Sequence, residues 1–433
     1  MSGFASTVAD RAEHLAVVYE TESLTYAELD QRAAQLAHAL TAAGARTGGP
    51  VGVLLPNCIE FIECLAACAK LRCPPLTLNS HLPADELAWV LADSGAQVVV
   101  AHVDLRPSLE AAVTHPTAPS TLAVLWVGDD YEPALDAAGD EPWPYAWSTA
   151  WPLMYTSGRA GRPRGVLHRA ATSRDAMADA HTALADLWGY RPEDVHLVAG
   201  SLHHAAPLAY ATTTLFVGGT VVLMERWDPI EALRLVETRR VTTTYMTPTH
   251  FHDLLCVSEA TLSRFDITSL RHVLHGGDAC PVALKDRIMD LLAHSEVWEL
   301  YGMAEGGVTR VGPEEWRRHR GTVGRPWPGV EVTIRDAETL EPLGPYSDGL
   351  IYVRPASGRF RYLHDDDGTA AAWDGDAFTV GDMGHLDDDG YLYLTDGVID
   401  LTVRTEVAER SGSGPPGATG DRSNRRARQR PVL

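Results

Sequence analysis

The stretch YTSGRAGRPRGV, residues 155–166, decides the fold class of this chain, because a strand-like apolar pattern at 153–156 runs directly into it. Its glycines let backbone amides turn toward an anion, its hydroxyls donate hydrogen bonds and its arginines add positive charge. The glycines are Gly158, Gly161 and Gly165, and the hydroxyls belong to Thr156 and Ser157. The stretch therefore has the chemistry of a phosphate-binding loop, although the Walker spacing is absent and an ordinary glycine-rich turn remains the simpler alternative.

Outward from this loop, apolar patterns alternate between the lengths typical of strands and of helices. TYAE at 25–28 has capping-box spacing and is followed by apolar residues at helical intervals up to Gly44, which predicts an amphipathic helix. Further patterns predict strands at 51–55, 76–78, 97–100 and 220–224 and helices at 59–70, 83–93 and 172–187. This alternation predicts an α/β fold with a largely parallel sheet between layers of helices.

The pattern changes near residue 328 to short alternating strands, at 330–334, 350–353 and 391–394. We therefore expect one large domain over residues 1–400, with a smaller β-rich subdomain at about 328–400. Beyond Arg404 the periodicity vanishes, and Ser, Gly, Pro and Arg dominate. Residues 401–433 are predicted to be a disordered tail, with an RNA- or membrane-binding tail as the alternative.

Composition excludes several classes of protein. The formal charge of −22 over 433 residues argues against a nucleic-acid binder, since such binding depends on cations that neutralise phosphates. The six cysteines form no CxxC pair, which favours reduced core thiols over a zinc site. No long apolar run and no signal-like start is present, so we expect no membrane partner and a cytoplasmic location.

Three further motifs follow the loop in order: HGGDACP at 275–281, ELYGMAEGG at 299–307 and GDMG at 381–384. The ordered set resembles the adenylate-forming superfamily of acyl- and aryl-CoA synthetases, nonribosomal-peptide adenylation domains and firefly luciferases. Such enzymes join a carboxylate to the α-phosphate of ATP, release pyrophosphate and pass the acyl group of the adenylate to a thiol. The resemblance implies ATP or AMP, Mg²⁺ and coenzyme A as cofactors, a small-molecule carboxylic acid and its adenylate as partners, and a possible homodimer.

The resemblance also implies a role for each motif. The loop from Thr156 to Gly165 would embrace the β- and γ-phosphates, with Arg164 as its cation. Glu305 and Thr156 would hold Mg²⁺, which prefers oxygen ligands. Asp382 would accept hydrogen bonds from the ribose. The remaining nucleotide contacts implied by the motifs are Gly276, Gly277 and Asp278 along the adenine slot, Tyr301 stacked on adenine, and Gly302, Met303 and Ala304 beside it.

The acyl pocket is implied at SLHHAAP, residues 201–207, and at YMTP, residues 245–248. Its expected residues are His203, His204, Met246, Pro248 and Gly306. His204 matches an aromatic residue or histidine beside the substrate carboxylate in relatives, and a satisfied core histidine is the plain alternative. The Phe-Asp pair typical of amino-acid-activating relatives is missing, which favours an acid without an α-amine, whether aliphatic, aryl or polycyclic.

Several positions depart from the family pattern. Arg159 and Ala160 stand where relatives carry Thr or Ser, and Arg164 stands where they carry Lys. Ala304 replaces a Thr whose hydroxyl would touch the α-phosphate. The chain has no lysine after Lys285, so the lysine that relatives carry on a C-terminal lid is not supplied by this sequence.

These departures lead to three hypotheses. The first is a carboxylate–CoA ligase that favours thioester formation and adenylates weakly. The second is a full two-step AMP-forming ligase, and the third is a non-catalytic protein that binds AMP or an acyl-adenylate. The abrupt change of composition at Arg404 fits a natural truncation or a change of reading frame, and both remain open.

Overall fold

The structure is a computed structural model that describes residues 4–143, 152–156, 162–168, 174–356 and 358–398. Its helices are α1 Phe4–Asp10, α2 Tyr26–Ala42, α3 Ile59–Leu71, α4 Ala84–Ser94, α5 Arg106–Val113, α6 Tyr131–Ala138, α7 Arg174–Trp188, α8 Ala205–Val217, α9 Pro229–Arg239, α10 Pro248–Cys256, α11 Glu259–Leu262, α12 Val282–Leu291, α13 Pro313–Arg318 and α14 Asp366–Ala372.

Its strands are β1 Leu15–Tyr19, β2 Glu22–Thr25, β3 Val51–Leu54, β4 Pro75–Thr77, β5 Val98–His102, β6 Ala123–Val127, β7 Met154–Thr156, β8 Arg164–Leu167, β9 Val195–Val198, β10 Thr220–Leu223, β11 Thr243–Met246, β12 His272–His275, β13 Glu296–Met303, β14 Gly306–Val311, β15 Arg325–Pro326, β16 Glu331–Arg335, β17 Gly349–Arg354, β18 Arg361–Tyr362, β19 Trp373–Asp374, β20 Ala377–Phe378, β21 Asp382–Leu386 and β22 Leu392–Val398.

The predicted amphipathic helix is α2, and its capping box forms as expected. The Glu28 amide donates to the Thr25 hydroxyl at 3.2 Å, and the Thr25 amide donates to the Glu28 carboxylate at 2.7 Å. The apolar face of α2, including Leu29 and Leu36, is fully buried against the core. Local hydrogen bonds and tertiary burial therefore specify the same helix.

A nine-stranded sheet forms the centre of the described chain, in the order β15-β14-β13-β12-β11-β9-β10-β1-β2. The pairs from β13 to β1 are parallel, whereas β14, β15 and β2 are attached antiparallel at the two edges. A second sheet, β4-β3-β5-β6, is parallel throughout. The prediction of a largely parallel α/β fold is confirmed. Two of the antiparallel edge pairs, β1–β2 and β13–β14, are closed by two-residue connections, whereas β15 follows β14 only after the segment that contains α13.

The predicted change to short strands after residue 328 is also seen. A six-stranded sheet combines β19-β20-β17-β21-β22 with β16, and its described pairs are antiparallel. A bridge between Gly324 and Leu392 joins this sheet to the segment that follows β14. Residues 401–433, the predicted tail, lie outside the described residues.

The prediction that the cysteines are core thiols is confirmed for four of the six and wrong for one. Four of them, Cys58, Cys64, Cys68 and Cys73, are free and buried. Cys280 is half-buried, and Cys256 is exposed, so for Cys256 the expectation was wrong. Cys256 is the last residue of α10 and lies outside the apolar face of that helix. Among the described residues, no helix combines the length and the apolar content needed to cross a membrane.

Candidate functional site

Three neighbouring parallel strands carry the predicted motifs to one edge of the central sheet. The strands β11, β12 and β13 pair in parallel, so their carboxyl ends lie side by side. The segments that follow them are 247–248, 276–278 and 304–305. Ligands bind at this kind of edge in open α/β sheets, and the edge gathers motifs that are distant in the sequence.

The two ends of the phosphate-binding loop are held together by an antiparallel pair, in which Thr156 lies opposite Arg164. Ser157, Gly158, Arg159, Ala160 and Gly161 lie outside the described residues. At the base of the loop, the Tyr155 hydroxyl donates to Asp93 of α4 at 2.7 Å. A Cβ on Gly165 would lie 3.0 Å from the Tyr155 ring, so the glycine permits this close packing.

Arg164 is already engaged at the mouth of this loop. Its Nε lies 3.1 Å from an Asp365 carboxylate oxygen, and its guanidinium carbon lies 5.3 Å from the centre of the Tyr362 ring. About one third of each side chain of the ion pair is exposed. The cation expected to bind phosphate therefore has a carboxylate partner within the chain.

Glu305 is buried, and a hydroxyl from another element contacts it. Tyr362 donates to its Oε1 at 2.8 Å. Burial, together with the negative charge of Glu305, raises the pKa of Tyr362, which therefore remains a protonated donor. Tyr362 reaches this position because β18 pairs with β8, the strand that leaves the loop.

The turn before Glu305 has a second contact that sequence reasoning did not find. Nε2 of His168 donates to the backbone carbonyl of Ala304 at 2.7 Å. Burial lowers the pKa of His168, so the ring is neutral with its proton on Nε2. The turn at Ala304 and Glu305 is therefore held by two side chains: His168, which follows β8, and Tyr362, which lies on the paired strand β18.

On the other side of the site, the Tyr301 hydroxyl donates to Asp382 at 2.7 Å. Both side chains are half-buried. The structure therefore brings together the residues expected to contact adenine and ribose, which lie 81 positions apart.

The adenine-slot segment needs its glycines. A Cβ on Gly276 would lie 2.5 Å from the Leu300 carbonyl, and Gly277 has φ +84°. Asp278 is exposed at the end of the segment. Gly302, with a Cβ position 2.9 Å from the Gly306 carbonyl, likewise lets β13 and β14 approach closely.

His203 and His204 lie where the chain enters α8, and their ring centres are 4.2 Å apart. Burial, with His204 and His81 nearby, lowers the pKa of His203 to about 3. His204 is exposed at its surface, and the protein around its ring lowers its pKa by partial desolvation. Both rings are therefore neutral near pH 7, and neither carries a charge toward a substrate carboxylate.

The other expected pocket residues have different surroundings. Met246 packs in the core beside α9 and α10. Tyr245, on the other face of β11, packs against aromatic side chains. Pro248 is buried as the first residue of α10. At Gly306, no atom lies within 4 Å of the position that a Cβ would occupy, so the space beside it is open.

The described residues contain no group of three or more His, Cys, Asp or Glu side chains suited to hold a metal ion. Glu305 offers one buried carboxylate, and Thr156 offers a hydroxyl at the start of the loop. Mg²⁺ is commonly held by one or two carboxylates together with substrate phosphates. The residues present therefore fit a Mg²⁺ ion that arrives with a nucleotide, and they do not form a cage of their own.

Comparison with known proteins gives one family. Residues 4–360 match the family described as AMP-binding enzyme. The chain is 34% identical over 396 residues to a feruloyl-CoA synthase of Amycolatopsis sp, covering 90% of this chain and 76% of that protein. It is 27% identical over 393 residues to the long-chain-fatty-acid–CoA ligase FadD13 of Mycobacterium tuberculosis, covering 88% and 74%. An inhibitor-bound N-terminal domain of FACL13 from Mycobacterium tuberculosis superposes with a TM-score of 0.81 at 26% identity, covering 92% of this chain and 100% of that one.

Proposed function

Because the chain belongs to the AMP-binding enzyme family, we propose that it is an AMP-forming carboxylate–CoA ligase whose adenylation step is weak and whose thioester-forming step is retained. Its general class, an acid–thiol ligase, follows from the family and from relatives that are CoA ligases. The finer claim concerns which of the two steps the site favours. We place the activity in the cytoplasm, where ATP and coenzyme A are available.

The observation that carries this proposal is the state of Arg164. Its guanidinium pairs with Asp365 at 3.1 Å and lies over the Tyr362 ring. Arginine can bind phosphate through two parallel hydrogen bonds, but here the Asp365 carboxylate already lies beside its Nε and competes with phosphate for the same cation. ATP binding therefore includes an exchange of partners that AMP or an acyl-adenylate, without β- and γ-phosphates, does not require.

The departures at Arg164 and at Ala304 differ in the free energy that each costs. A partly exposed ion pair such as Arg164–Asp365 contributes about 0–1 kcal/mol, so its exchange slows adenylation by at most about fivefold. A missing charge-assisted hydrogen bond, as at Ala304, costs about 1.5–3 kcal/mol, or roughly ten- to a hundredfold. The absent hydroxyl is the larger effect, but the α-phosphate that it would contact is also present in the acyl-adenylate. The Arg164–Asp365 pair is therefore the feature that distinguishes the two steps.

The adenosine side has no comparable defect. Tyr301 and Asp382 are joined and half-buried, and Gly276 and Gly277 permit a close approach of the backbone. In the proposed complex these residues hold the adenosine, and neutral His204 lies beside the acyl carbonyl. Mg²⁺, when bound with the nucleotide, supplies positive charge to phosphate oxygens. Glu305, held by Tyr362, keeps its carboxylate in place for that ion.

The test uses the purified chain with a panel of acids, each supplied in two forms. One reaction contains acid, ATP, Mg²⁺ and coenzyme A, and the other contains the preformed acyl-adenylate, Mg²⁺ and coenzyme A. Thioester is followed by mass spectrometry. We expect faster product formation from the adenylate, and up to about fivefold of the difference is attributed to the Arg164–Asp365 pair. Equal rates from both would establish a full two-step ligase, and adenylate binding with no thioester would establish a binding protein.

A further inference from the structure

Helix α4 lies beside both described ends of the phosphate-binding loop, and two of its side chains contact them. Trp89 and Asp93 are four residues apart, so they lie one turn apart on the same face of the helix. Both are half-buried, whereas Leu87 and Leu91 of α4 are almost fully buried in the core around the second sheet. The core therefore fixes the helix, and its other face carries an aromatic and an acidic side chain toward the loop.

Asp93 contacts the end at which the chain enters the loop. The Tyr155 hydroxyl donates to its Oδ2 at 2.7 Å. Burial, together with the hydrogen bond to Asp93, raises the pKa of Tyr155, so the phenol remains a protonated donor. Because Tyr155 immediately precedes Thr156, this bond fixes the position from which the loop begins.

Trp89 contacts the end at which the chain leaves the loop. Its indole Nε1 donates to the Pro163 carbonyl at 3.4 Å, and the guanidinium carbon of Arg162 lies 4.5 Å from the centre of its ring. Pro163 is buried, and Arg162 is exposed. The N–H therefore restrains the backbone that leads into β8, and the ring face attracts the exposed cation beside it.

The spacing of the two contacts matches the spacing of the two strands. Side chains four residues apart on a helix are about 5–6 Å apart, and paired strands lie about 4.8 Å apart. Because β7 and β8 are paired, with Thr156 opposite Arg164, one turn of α4 spans both ends of the loop. The helix and the strand pair together close the base of the loop.

The base of the loop is also joined to the second sheet, through the residue before β7. The Leu153 amide donates to the Pro75 carbonyl at 3.0 Å, and Leu153 forms a parallel bridge with Leu76 of β4. Leu76 and Leu153 belong to the same apolar core as Leu87 and Leu91 of α4. The position of the loop is therefore set by the second sheet and by a helix that packs on it.

From these contacts we propose that Trp89 and Asp93 are positioning residues for the adenylation step, which hold the two ends of the loop so that it is ready to bind the β- and γ-phosphates of ATP. The inference rests on the proposed function, because it concerns the loop of that same site. The glycines of the loop give it wide conformational freedom, so fixed ends lower the entropy that ATP binding must remove. An acyl-adenylate has no β- and γ-phosphates, so thioester formation from it does not depend on these contacts.

Two rates of the same purified protein test the inference: acid-dependent exchange of pyrophosphate into ATP, and thioester formation from the preformed adenylate of the same acid. Asp93→Ala removes the acceptor of Tyr155, and we expect it to slow exchange by about three- to tenfold and to leave thioester formation within about twofold. Asp93→Asn keeps an acceptor oxygen at that place and should recover most of the exchange rate. A role in stability alone would lower both rates by the same factor.

Two substitutions of Trp89 separate the contacts of its indole. Trp89→Phe keeps a ring beside Arg162 and loses the N–H, so we expect exchange to slow by about twofold, whereas Trp89→Leu loses both and should slow it by about three- to tenfold. Trp126→Leu is the matched control, because the Arg106 guanidinium lies 4.3 Å from the Trp126 ring centre. Trp126 is on β6, at the opposite edge of the second sheet from β4, so its loss should leave the ratio of the two rates unchanged.

Each outcome decides the inference. A fall in exchange relative to thioester formation in Asp93→Ala and Trp89→Leu supports it, and no recovery in Asp93→Asn overturns the assignment to the Tyr155 bond. Equal falls in both rates, or an unchanged ratio, overturn the inference and leave the proposed function standing. An absence of exchange in the unmodified protein also overturns it, because there is then no adenylation step to assist. An absence of thioester from any adenylate overturns the proposed function and the inference with it.

Discussion

Glu305 and Tyr362 are 57 positions apart in the chain and share one hydrogen bond of 2.8 Å. A buried carboxylate depends on such donors, because each one favours its charged form. Asp365 makes two contacts with its carboxylate. One oxygen pairs with Arg164, and the other accepts from the Gly368 amide at 2.8 Å. At this scale, the proposed handling of phosphate and metal depends on the contacts of single side chains.

Replacing Tyr362 with phenylalanine removes the hydroxyl and keeps the ring. Without this hydroxyl the Glu305 carboxylate loses a donor that holds it in position. We expect Mg²⁺-dependent ATP binding to weaken by about three- to tenfold, measured by calorimetry at about pH 7.5, with binding in the absence of Mg²⁺ little changed. Tyr346→Phe, at a side chain 63% exposed, is the control. Unchanged Mg²⁺-dependent binding in Tyr362→Phe would contradict the assigned role.

Asp365→Asn tests the exchange at Arg164. Asparagine still caps α14 through its side-chain oxygen but no longer neutralises the guanidinium. We expect acid-dependent pyrophosphate release from ATP to rise by up to about fivefold. The gain should vanish in the double variant Asp365→Asn with Arg164→Ala. A rate equal to or below that of the unmodified protein would show that the ion pair does not restrain adenylation.

Among the elements, the local ones were predictable from the sequence. The capping box at Thr25 and the apolar repeat after it predicted α2, because a helix end and a helix face are encoded by neighbouring residues. The antiparallel edges of the central sheet were not predicted, since pairing of edge strands depends on the folded core. The contacts of Tyr362 and His168 were missed for the same reason, because neither lies in a motif and both depend on the pairing of β8 with β18.

Gly324 connects two of these elements. It has φ +102°, its Cβ would lie 2.0 Å from the Arg310 carbonyl, and its own carbonyl accepts from the Leu392 amide at 2.8 Å. We expect Gly324→Ala to lower the free energy of unfolding by at least about 1–3 kcal/mol, through strain at this crossing. Denaturant titration measures the effect. Gly344→Ala, where nothing lies within 4 Å of the new Cβ, should be close to neutral. Equal effects of both substitutions would show that Gly324 is not a constrained crossing.

At the scale of the whole molecule, the proposed site has an adenosine side and a phosphate side with different properties. Tyr301 and Asp382 lie on β13 and β21, and the adenine-slot glycines follow β12, so the proposed adenosine side draws on two sheets. The phosphate side depends on the loop strand β8 and on the segment after β18, where Arg164 and Asp365 pair. In the proposed function, both steps use the adenosine side, and only adenylation uses the β- and γ-phosphates on the other side.

This division predicts how nucleotides bind. AMP should bind at least as tightly as ATP, because β- and γ-phosphates gain little from an arginine that is already paired. Calorimetry at fixed Mg²⁺ measures both dissociation constants. Asp382→Asn should weaken both nucleotides equally, since both use the ribose contact. ATP binding more than about tenfold tighter than AMP, equivalent to about 1.4 kcal/mol, would contradict the division.

The most direct measurement is acid-dependent exchange of pyrophosphate into ATP, made with an acid whose preformed adenylate this protein converts to a thioester. Using such an acid ensures that the pocket accepts the substrate, so that the rate reports adenylation alone. We predict exchange below about 1 per second, at the low end of ordinary enzyme turnover, and slower than thioester formation from the adenylate. Exchange above that rate, and equal to or faster than thioester formation, would contradict the claim that adenylation is the weak step.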